Sequence, residues 1–399
     1  LYNYENYGGN CHMVPNHALI ILGLLYGHDD FQEAMKVVNT AGWDTDCNSG
    51  NLGCLLGIKN GLAGLDVGPD WRGPVADRLF LAAADGGRSV TDALIETYHV
   101  VNAGRALHNE PPIAPKNGAR FHFDLPGSLQ GFRAESESVS LANVAGHSQD
   151  GRRALEIKFS GPGSVSTATF ILPPELDMPG YALVASPTIY QGQNLTVKVS
   201  SEENSRLKLF MRAYDEKDVL SQIDGPQFDL RAGEHGKTTW VIPPTGGQPI
   251  AEIGLSYDGD TPATVYLDSI GWDGAPTITL TRPGGGEFPW DPPLVWRHAW
   301  VNGLDLWEPW WPESFRLIQN SGRGLLTQGT REWTDYEVAA AVTPVLMAKG
   351  GIGIRAQGMR RYYALLLCDD YKIRLVKALD GEKILAEADF EWHVNQSYG

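Results

Sequence analysis

Apolar positions recur at two different periods along the 399-residue chain, and the change of period divides it. Near the start the spacing is helical. In Asp30-Phe31-Gln32-Glu33-Ala34-Met35-Lys36-Val37-Val38 the apolar residues at 31, 34, 35 and 38 line one face, behind an aspartate placed to cap the first turn. Pro74 opens another apolar stretch that runs to Gly86-Gly87, and Ser89-x-x-Asp92 has the form of a capping box for a helix running towards Ala106. Residues 1–110 are therefore predicted to be mainly α-helical.

Pro111-Pro112 to Asn117-Gly118 interrupts this pattern, because proline fixes the backbone and removes a donor, and a linker is predicted there. Beyond it the period is two. Leu195, Val197 and Val199 alternate with Thr196 and Lys198, and Leu207, Leu209 and Met211 alternate with Lys208, Phe210 and Arg212. Trp240 and Ile242, Ile253, Leu255 and Tyr257, and Val265 and Leu267 continue the alternation between turns such as Pro243-Pro244-Thr245-Gly246-Gly247. Many short strands joined this way predict a β-sandwich over 119–275. A second break, Arg282-Pro283-Gly284-Gly285-Gly286 to Pro292-Pro293, opens a third segment, 290–399, with strands predicted at 336–342, 351–355, 362–367 and 373–376. Six of the 12 tryptophans (Trp290, Trp296, Trp300, Trp307, Trp310 and Trp311) crowd its start. They either seal a seam or offer faces to sugar rings.

Composition narrows the classes. With 48 acidic and 32 basic side chains the net charge is −16, which disfavours a nucleic-acid partner and favours local capture of hard cations. The 46 glycines and 25 prolines suit turn-rich globular domains. The apolar run Ala18 to Gly27 is about half the length a membrane helix needs, so no membrane partner is expected. No signal peptide is legible, but the chain opens at Leu1, so a lost leader is compatible with the sequence and the compartment stays open. Four cysteines (Cys11, Cys47, Cys54 and Cys368) make no disulfide framework and are expected as reduced core thiols.

The sharpest chemical signal is Gly42-Trp43-Asp44-Thr45-Asp46-Cys47-Asn48-Ser49-Gly50, lying between two predicted helices. Carboxylates two residues apart on such a loop can meet at one cation, and oxygen donors suit Mg²⁺ or Ca²⁺. Asp-Thr-Asp before a helix can equally serve as a cap. Glycines at 50, 53, 57, 61 and 64 form a side-chain-free strip on the helix that follows, which predicts close approach of a neighbour.

The run Gly42 to Gly57, with upstream Cys11-His12-Met13-Val14-Pro15-Asn16 and Asp30-Phe31-Gln32-Glu33-Ala34, resembles the C-terminal part of the ADP-ribosylglycohydrolase catalytic domain. That resemblance implies an all-α fold with a two-Mg²⁺ site that cleaves a glycosidic bond of ADP-ribosylated protein or a related ADP-ribosyl compound. By position it makes Asp44 and Asp46 metal ligands, and puts Cys47 where the family carries a hydroxyl ligand. Asn10 and His12 become candidate substrate-binding residues, with capping or core-edge roles as the alternative. The family's Thr-Asp-Asp ligands and catalytic glutamate would lie upstream of Leu1, so this chain alone is expected to be inactive.

The second segment resembles galactose-binding-like, carbohydrate-binding-module-like β-sandwiches. The likeness rests on Phe121-His122-Phe123-Asp124, Ala154-Leu155-Glu156-Ile157 and Thr264-Val265-Tyr266-Leu267-Asp268-Ser269-Ile270-Gly271-Trp272. It implies a structural Ca²⁺ at Asp124 and Asp268, with two surface carboxylates as the alternative. The third segment resembles a truncated concanavalin-like or laminin-G-like jelly roll, through Trp333-Thr334-Asp335-Tyr336-Glu337-Val338, Gly353-Ile354-Arg355 and Arg361-Tyr362-Tyr363-Ala364-Leu365. The chain thus reads as multidomain: an all-α ADP-ribosylglycohydrolase-like fragment followed by two β-sandwich (jelly-roll) domains. The expected function is a metal-dependent glycosidic hydrolase with glycan-binding companions. A catalytically inactive carbohydrate-binding or scaffold protein is the alternative.

Overall fold

The computed structural model describes residues 3–81, 86–176, 185–282, 294–308 and 315–399. They divide into two compact units, Leu1–Val75 and Ala76–Gly399. The break in packing falls well before the proline-rich linker at 111–118.

In the first unit three helices, α1 (Met13–Gly27), α2 (Phe31–Asn39) and α3 (Thr45–Leu65), enclose a small core of Ala34, Met35, Val38, Leu52 and Leu56. The face predicted for α2 is the buried one. Asp30 caps α2 as expected, its carboxylate accepting from the backbone N–H groups of Gln32 and Glu33. The glycine strip of α3 does not mediate close packing. A Cβ at Gly50 would meet nothing within 4 Å, and one at Gly53 only ordinary contacts with Met35 and Phe31. Gly61, at φ 67° and ψ −173°, interrupts the helix. The close approach is made by α1 instead: a Cβ at Gly27 would lie 2.4 Å from Ala34 Cα.

The second unit starts with a strand pair, β1 (Arg78–Phe80) and β2 (Val90–Asp92), where the sequence pattern predicts helix after Pro74. Helix α4 (Ala93–Leu107) follows, capped by Asp92, whose Oδ1 accepts from Ile95 N at 2.8 Å; Ser89 lies outside the helix. The sandwich strands are β3 (Arg133–Ala134), β4 (Val139–Ala145), β5 (Arg153–Phe159), β6 (Gly163–Ala168), β7 (Asn194–Ser201), β8 (Ser205–Tyr214), β9 (Leu220–Leu230), β10 (His235–Val241), β11 (Ile250–Tyr257) and β12 (Ala263–Asp273). They form two antiparallel five-stranded sheets, β10-β7-β12-β5-β4 and β3-β6-β11-β8-β9. The alternating residues of the sequence point inward: Leu195, Val197, Val199, Leu207, Leu209, Met211, Ile253, Leu255, Val265 and Leu267 share one core with Leu155, Ile157 and Phe159. The opening strand predicted at 121–124 is a single bridge, Phe121 to Ile270, because Phe123 turns the backbone to φ 58°.

A second cluster of Val90, Phe170, Ile171, Leu172, Val295 and Ala299 ties β2 and the short helix Leu294–His298 to the end of the sandwich. This explains why the third segment is part of the same unit. Its described strands are the pairs β13 (Val301–Asn302) with β16 (Leu326–Thr327) and β14 (Leu306–Glu308) with β15 (Arg316–Ile318), and a four-stranded meander. The meander comprises β17 (Lys349–Ile354), β18 (Arg361–Cys368), β19 (Lys372–Leu379) and β20 (Glu382–Asp389). The strand predicted at 336–342 makes no ladder beyond a bridge between Val342 and Tyr398. Trp296, Trp300 and Trp307 are buried against one another, so these three pack rather than face solvent. Trp290, Trp310 and Trp311 lie outside the described residues.

Candidate metal centre

The loop ahead of α3 is held in place before any ligand is considered. Gly42 takes φ 77°, which glycine adopts without steric cost, and delivers Trp43 into a nearly buried position against the Tyr4 ring, with centroids 4.3 Å apart. The Tyr4 hydroxyl donates to the Gly42 carbonyl. Asn48 is buried and donates from Nδ2 to the Trp43 carbonyl at 2.9 Å, fixing the first turn of α3 against the loop.

Asp44 occupies the N-cap position of α3 but makes no capping hydrogen bond, and its backbone is left-handed at φ 33° and ψ 56°. The capping alternative therefore does not describe this side chain. Its Oδ2 accepts instead from Asn16 Nδ2 on α1, at 3.1 Å. Ligand atoms of Asp44, Asp46 and Cys47 all lie within 4.8 Å of one another, the one such group of three among the described residues. Asp46 is held below the usual carboxylate range, first by the Cys47 backbone N–H and then by a hydrogen bond with Asp44. The Cys47 thiol is pushed up by its hydrogen bond to Asp44 and by that carboxylate's charge, and Cys11 is raised chiefly by the charge of Asp44. Neither aspartate has a lysine or arginine ion-pair partner among the described residues.

Two adjacent carboxylates without a cationic side chain, beside a thiol, make a donor set that fits a divalent cation. Asn16 adds to the fit: it is 9 % exposed, and its Oδ1 is buried with no hydrogen-bond partner. Sequence reasoning gave no role to Asn16 and Tyr4, since only the fold brings them to residues 42–47, nor to Asn48, whose bond to the Trp43 carbonyl the spacing does not reveal. His12 is the cap of α1, its Nδ1 accepting from Val14 N at 3.2 Å, and it meets Tyr7 edge-on. Asn10 is exposed and accepts from the Cys11 thiol at 3.5 Å. The cysteines depart from expectation: Cys11, Cys47 and Cys54 are exposed, and only Cys368 is buried.

The expected calcium position holds something else. Lys116, from the linker, reaches between Asp124 and Asp268 with no side-chain exposure. Its Nζ donates to Asp268 Oδ1 and O, each at 2.7 Å, and to Arg153 O at 2.6 Å, with Asp124 Oδ1 at 3.9 Å. Ser148 donates to the same Asp268 Oδ1 at 2.6 Å. An ammonium already occupies the space between these carboxylates, so the residues present do not fit Ca²⁺ and neither aspartate is a surface group. A lysine within Pro-Lys-Asn-Gly carries no sequence signal for such a role.

Residues 3–104 match the family model of ADP-ribosylglycohydrolase. No curated protein matches the chain. Among solved structures, one of carbohydrate-binding modules from the β-sandwich superfamily is 13% identical with a TM-score of 0.30, covering 39% of this chain and 61% of that one. The Clostridium thermocellum endo-1,4-β-D-xylanase 10B CBM22-1–GH10 modules, complexed with xylohexaose, are 13% identical with a TM-score of 0.30, covering 41% and 29%. The CBM22-1 xylan-binding domain of Paenibacillus barcinonensis Xyn10C is 12% identical with a TM-score of 0.28, covering 38% and 90%. This chain thus spans less than two thirds of the first two. No described helix is long and apolar enough to cross a membrane.

Proposed function

We propose that the loop at residues 42–50 is the metal-bearing part of a hydrolase that cleaves the glycosidic bond of an ADP-ribosyl group, and that the β-rich unit supports it or holds a glycan. The observation that carries this reading is Asp44. It stands where a helix cap belongs, forgoes the cap, and is turned with Asp46 and Cys47 into one cluster. The match of residues 3–104 to the ADP-ribosylglycohydrolase model supports the substrate class.

A bound divalent cation would orient ribose hydroxyls and polarise the attacking water. The chain's own residues have simpler tasks. Asp44 and Asp46 supply negative charge at a fixed spacing, Asn16 orients the Asp44 carboxylate, and Asn48 and Trp43 keep the loop from relaxing into an ordinary capped turn. A second reading, a binding or scaffold protein without activity, is favoured by one observation: Cys47 stands where the family resemblance expects a hydroxyl.

The test uses a form of the protein carrying the Thr-Asp-Asp run and glutamate that the resemblance implies. Release of ADP-ribose from an ADP-ribosylated substrate is expected to need a divalent ion and to stop on chelation. Asp44→Asn or Asp46→Asn should lower the rate at least roughly 100-fold without changing the melt. Chelator-insensitive release, or silent asparagine variants, would return the loop to a structural role.

A further inference from the structure

The meander β17-β18-β19-β20 has one covered face and one open face. On the covered side Tyr362, Ala364, Val376 and Ala378 are buried, with Leu325 and Ala356 packed against them. Alternation along each strand puts the residues between these on the opposite face. There the register lines up Ile352, Leu365, Leu375 and Ala386 across all four strands. Leu365 is 44% exposed and Leu375 39%, although both lie on central strands, so the middle of this face is an apolar row left uncovered. Gly350, Leu367, Ile373 and Ala388 form the row on one side of it, and Ile354, Tyr363, Lys377 and Lys383 the row on the other.

Lys377 and Lys383 stand directly opposite each other on adjacent strands, a placing of like charges that costs stability. Neither has an ion-pair partner among the described residues; Lys377 has the Tyr363 ring, 5.7 Å away. The other end of the meander is acidic. The β18–β19 turn carries exposed Asp369 and Asp370, and exposed Asp389 and Glu391 lie where β20 ends. Arg374 holds Asp370, and Lys372 lies 3.6 Å from Asp389, whereas Asp369 and Glu391 make no ion pair among the described residues.

We infer that this open face docks on the same face of a second copy of the chain, about a two-fold axis that lies in the plane of the sheet and crosses the strands. That axis reverses strand direction between the copies, so apolar rows meet and the lysine end of each copy lies over the acidic end of the other. An axis along the strands would set lysine on lysine, so charge selects between the two arrangements. With strands about 4.8 Å apart and same-face rows about 6.8 Å apart, three rows on four strands cover about 400 Å² per copy. This is about half of a standard interface, so the dimer is weak and dissociates on dilution through the micromolar range.

Sedimentation velocity of the full chain from about 1 µM to 1 mM should show a monomer–dimer equilibrium that added salt weakens. Leu365→Glu with Leu375→Glu should leave a monomer whose thermal melt is unchanged, because both side chains are exposed before docking. Lys377→Glu with Lys383→Glu should weaken dimerisation roughly 10-fold, as should Asp369→Lys with Glu391→Lys. An equimolar mixture of those two proteins should recover it as a heterodimer. Leu25→Ser with Ile58→Ser, in the helical unit, should leave the equilibrium as it is. A chain that stays monomeric, association that persists with both leucines replaced, or a mixture that fails to recover the dimer overturns the inference.

Discussion

A lysine ammonium with no solvent exposure is stable only where oxygens replace the water it has lost, and Lys116 has three within 2.7 Å. Truncating it to alanine leaves the carboxylates of Asp268 and Asp124 facing each other in a dry position. Lys116→Ala is therefore expected to cost about 3–5 kcal/mol. The cavity would be ringed by two carboxylates and two carbonyls, a hard-cation donor set, so millimolar Ca²⁺ should recover part of that loss in a thermal melt. The wild-type melt should ignore both Ca²⁺ and chelator; a chelator-sensitive wild type would reinstate the calcium site. The acid response involves three other residues. Burial holds His122 neutral, pushing it from 6.5 down to about 4, so its contribution is full above pH 6.5 and lost as pH falls towards 4. Burial raises Asp92 from 3.8 to about 6, and that contribution runs the other way, growing as pH falls from 6 to 3.8. The two oppose each other. Glu135 is depressed from 4.5 to about 2, because hydrogen bonds from Arg212, Ser164 and Ser166 outweigh the burial that would raise it. Its stabilisation, up to about 3 kcal/mol, is present above pH 4.5 and lost on the way to pH 2. The melting midpoint of the β-rich unit should stay nearly level from pH 6.5 to 4 and then drop, and Glu135→Gln should make the drop shallower.

Among the elements, the glycines of the helical unit separate what spacing reveals from what only packing reveals. Gly27→Ala would drive a methyl into the backbone of α2, 2.4 Å from Ala34 Cα, and should destabilise the helical unit by about 1–3 kcal/mol. Gly50→Ala meets nothing within 4 Å and should stabilise α3 by up to about 1 kcal/mol. Far-ultraviolet circular dichroism melts distinguish the two directions; a neutral Gly27→Ala would count against a tight α1–α2 approach. A strip of five glycines was visible in the sequence, but periodicity cannot say whether a neighbour lies over it. The periods themselves translate directly: 31, 34, 35 and 38 give the buried face of α2, and the alternations at 195–199 and 207–211 give inward-facing strands. What fails is local. The stretch after Pro74 has apolar residues enough for a helix, yet Arg78–Phe80 pairs with Val90–Asp92, a partner set by tertiary contact rather than by spacing. The candidate site was legible to the same extent. Asp44, Asp46 and Cys47 are neighbours in sequence, whereas Asn16 reaches them only because α1 folds back.

At the scale of the molecule, the two units differ in how completely they cover their apolar surface. In Leu1–Val75, Met13 is 76% exposed, Leu25 62%, Tyr26 71% and Ile58 80%, while the core holds five buried residues. A hydrophobic dye should bind this chain, and binding should fall when Leu25 and Ile58 are replaced by polar residues. Limited proteolysis should remove the helical unit first and leave a resistant fragment beginning near residue 76, where the two compact units meet along the chain, rather than near 119, where the pattern of periods changes. Resistance of residues 3–75 equal to that of the sandwich would contradict this ordering. The difference between 76 and 119 also bears on inheritance. The sandwich core is built from strands after residue 120, yet the positive charge that settles its Asp124 and Asp268 sits at 116. A gene rearrangement that moved only the strands would export two uncompensated acids, so breakpoints that deliver a working module must fall upstream of codon 116. The segment that looks like a dispensable spacer is, for recombination, part of the cargo.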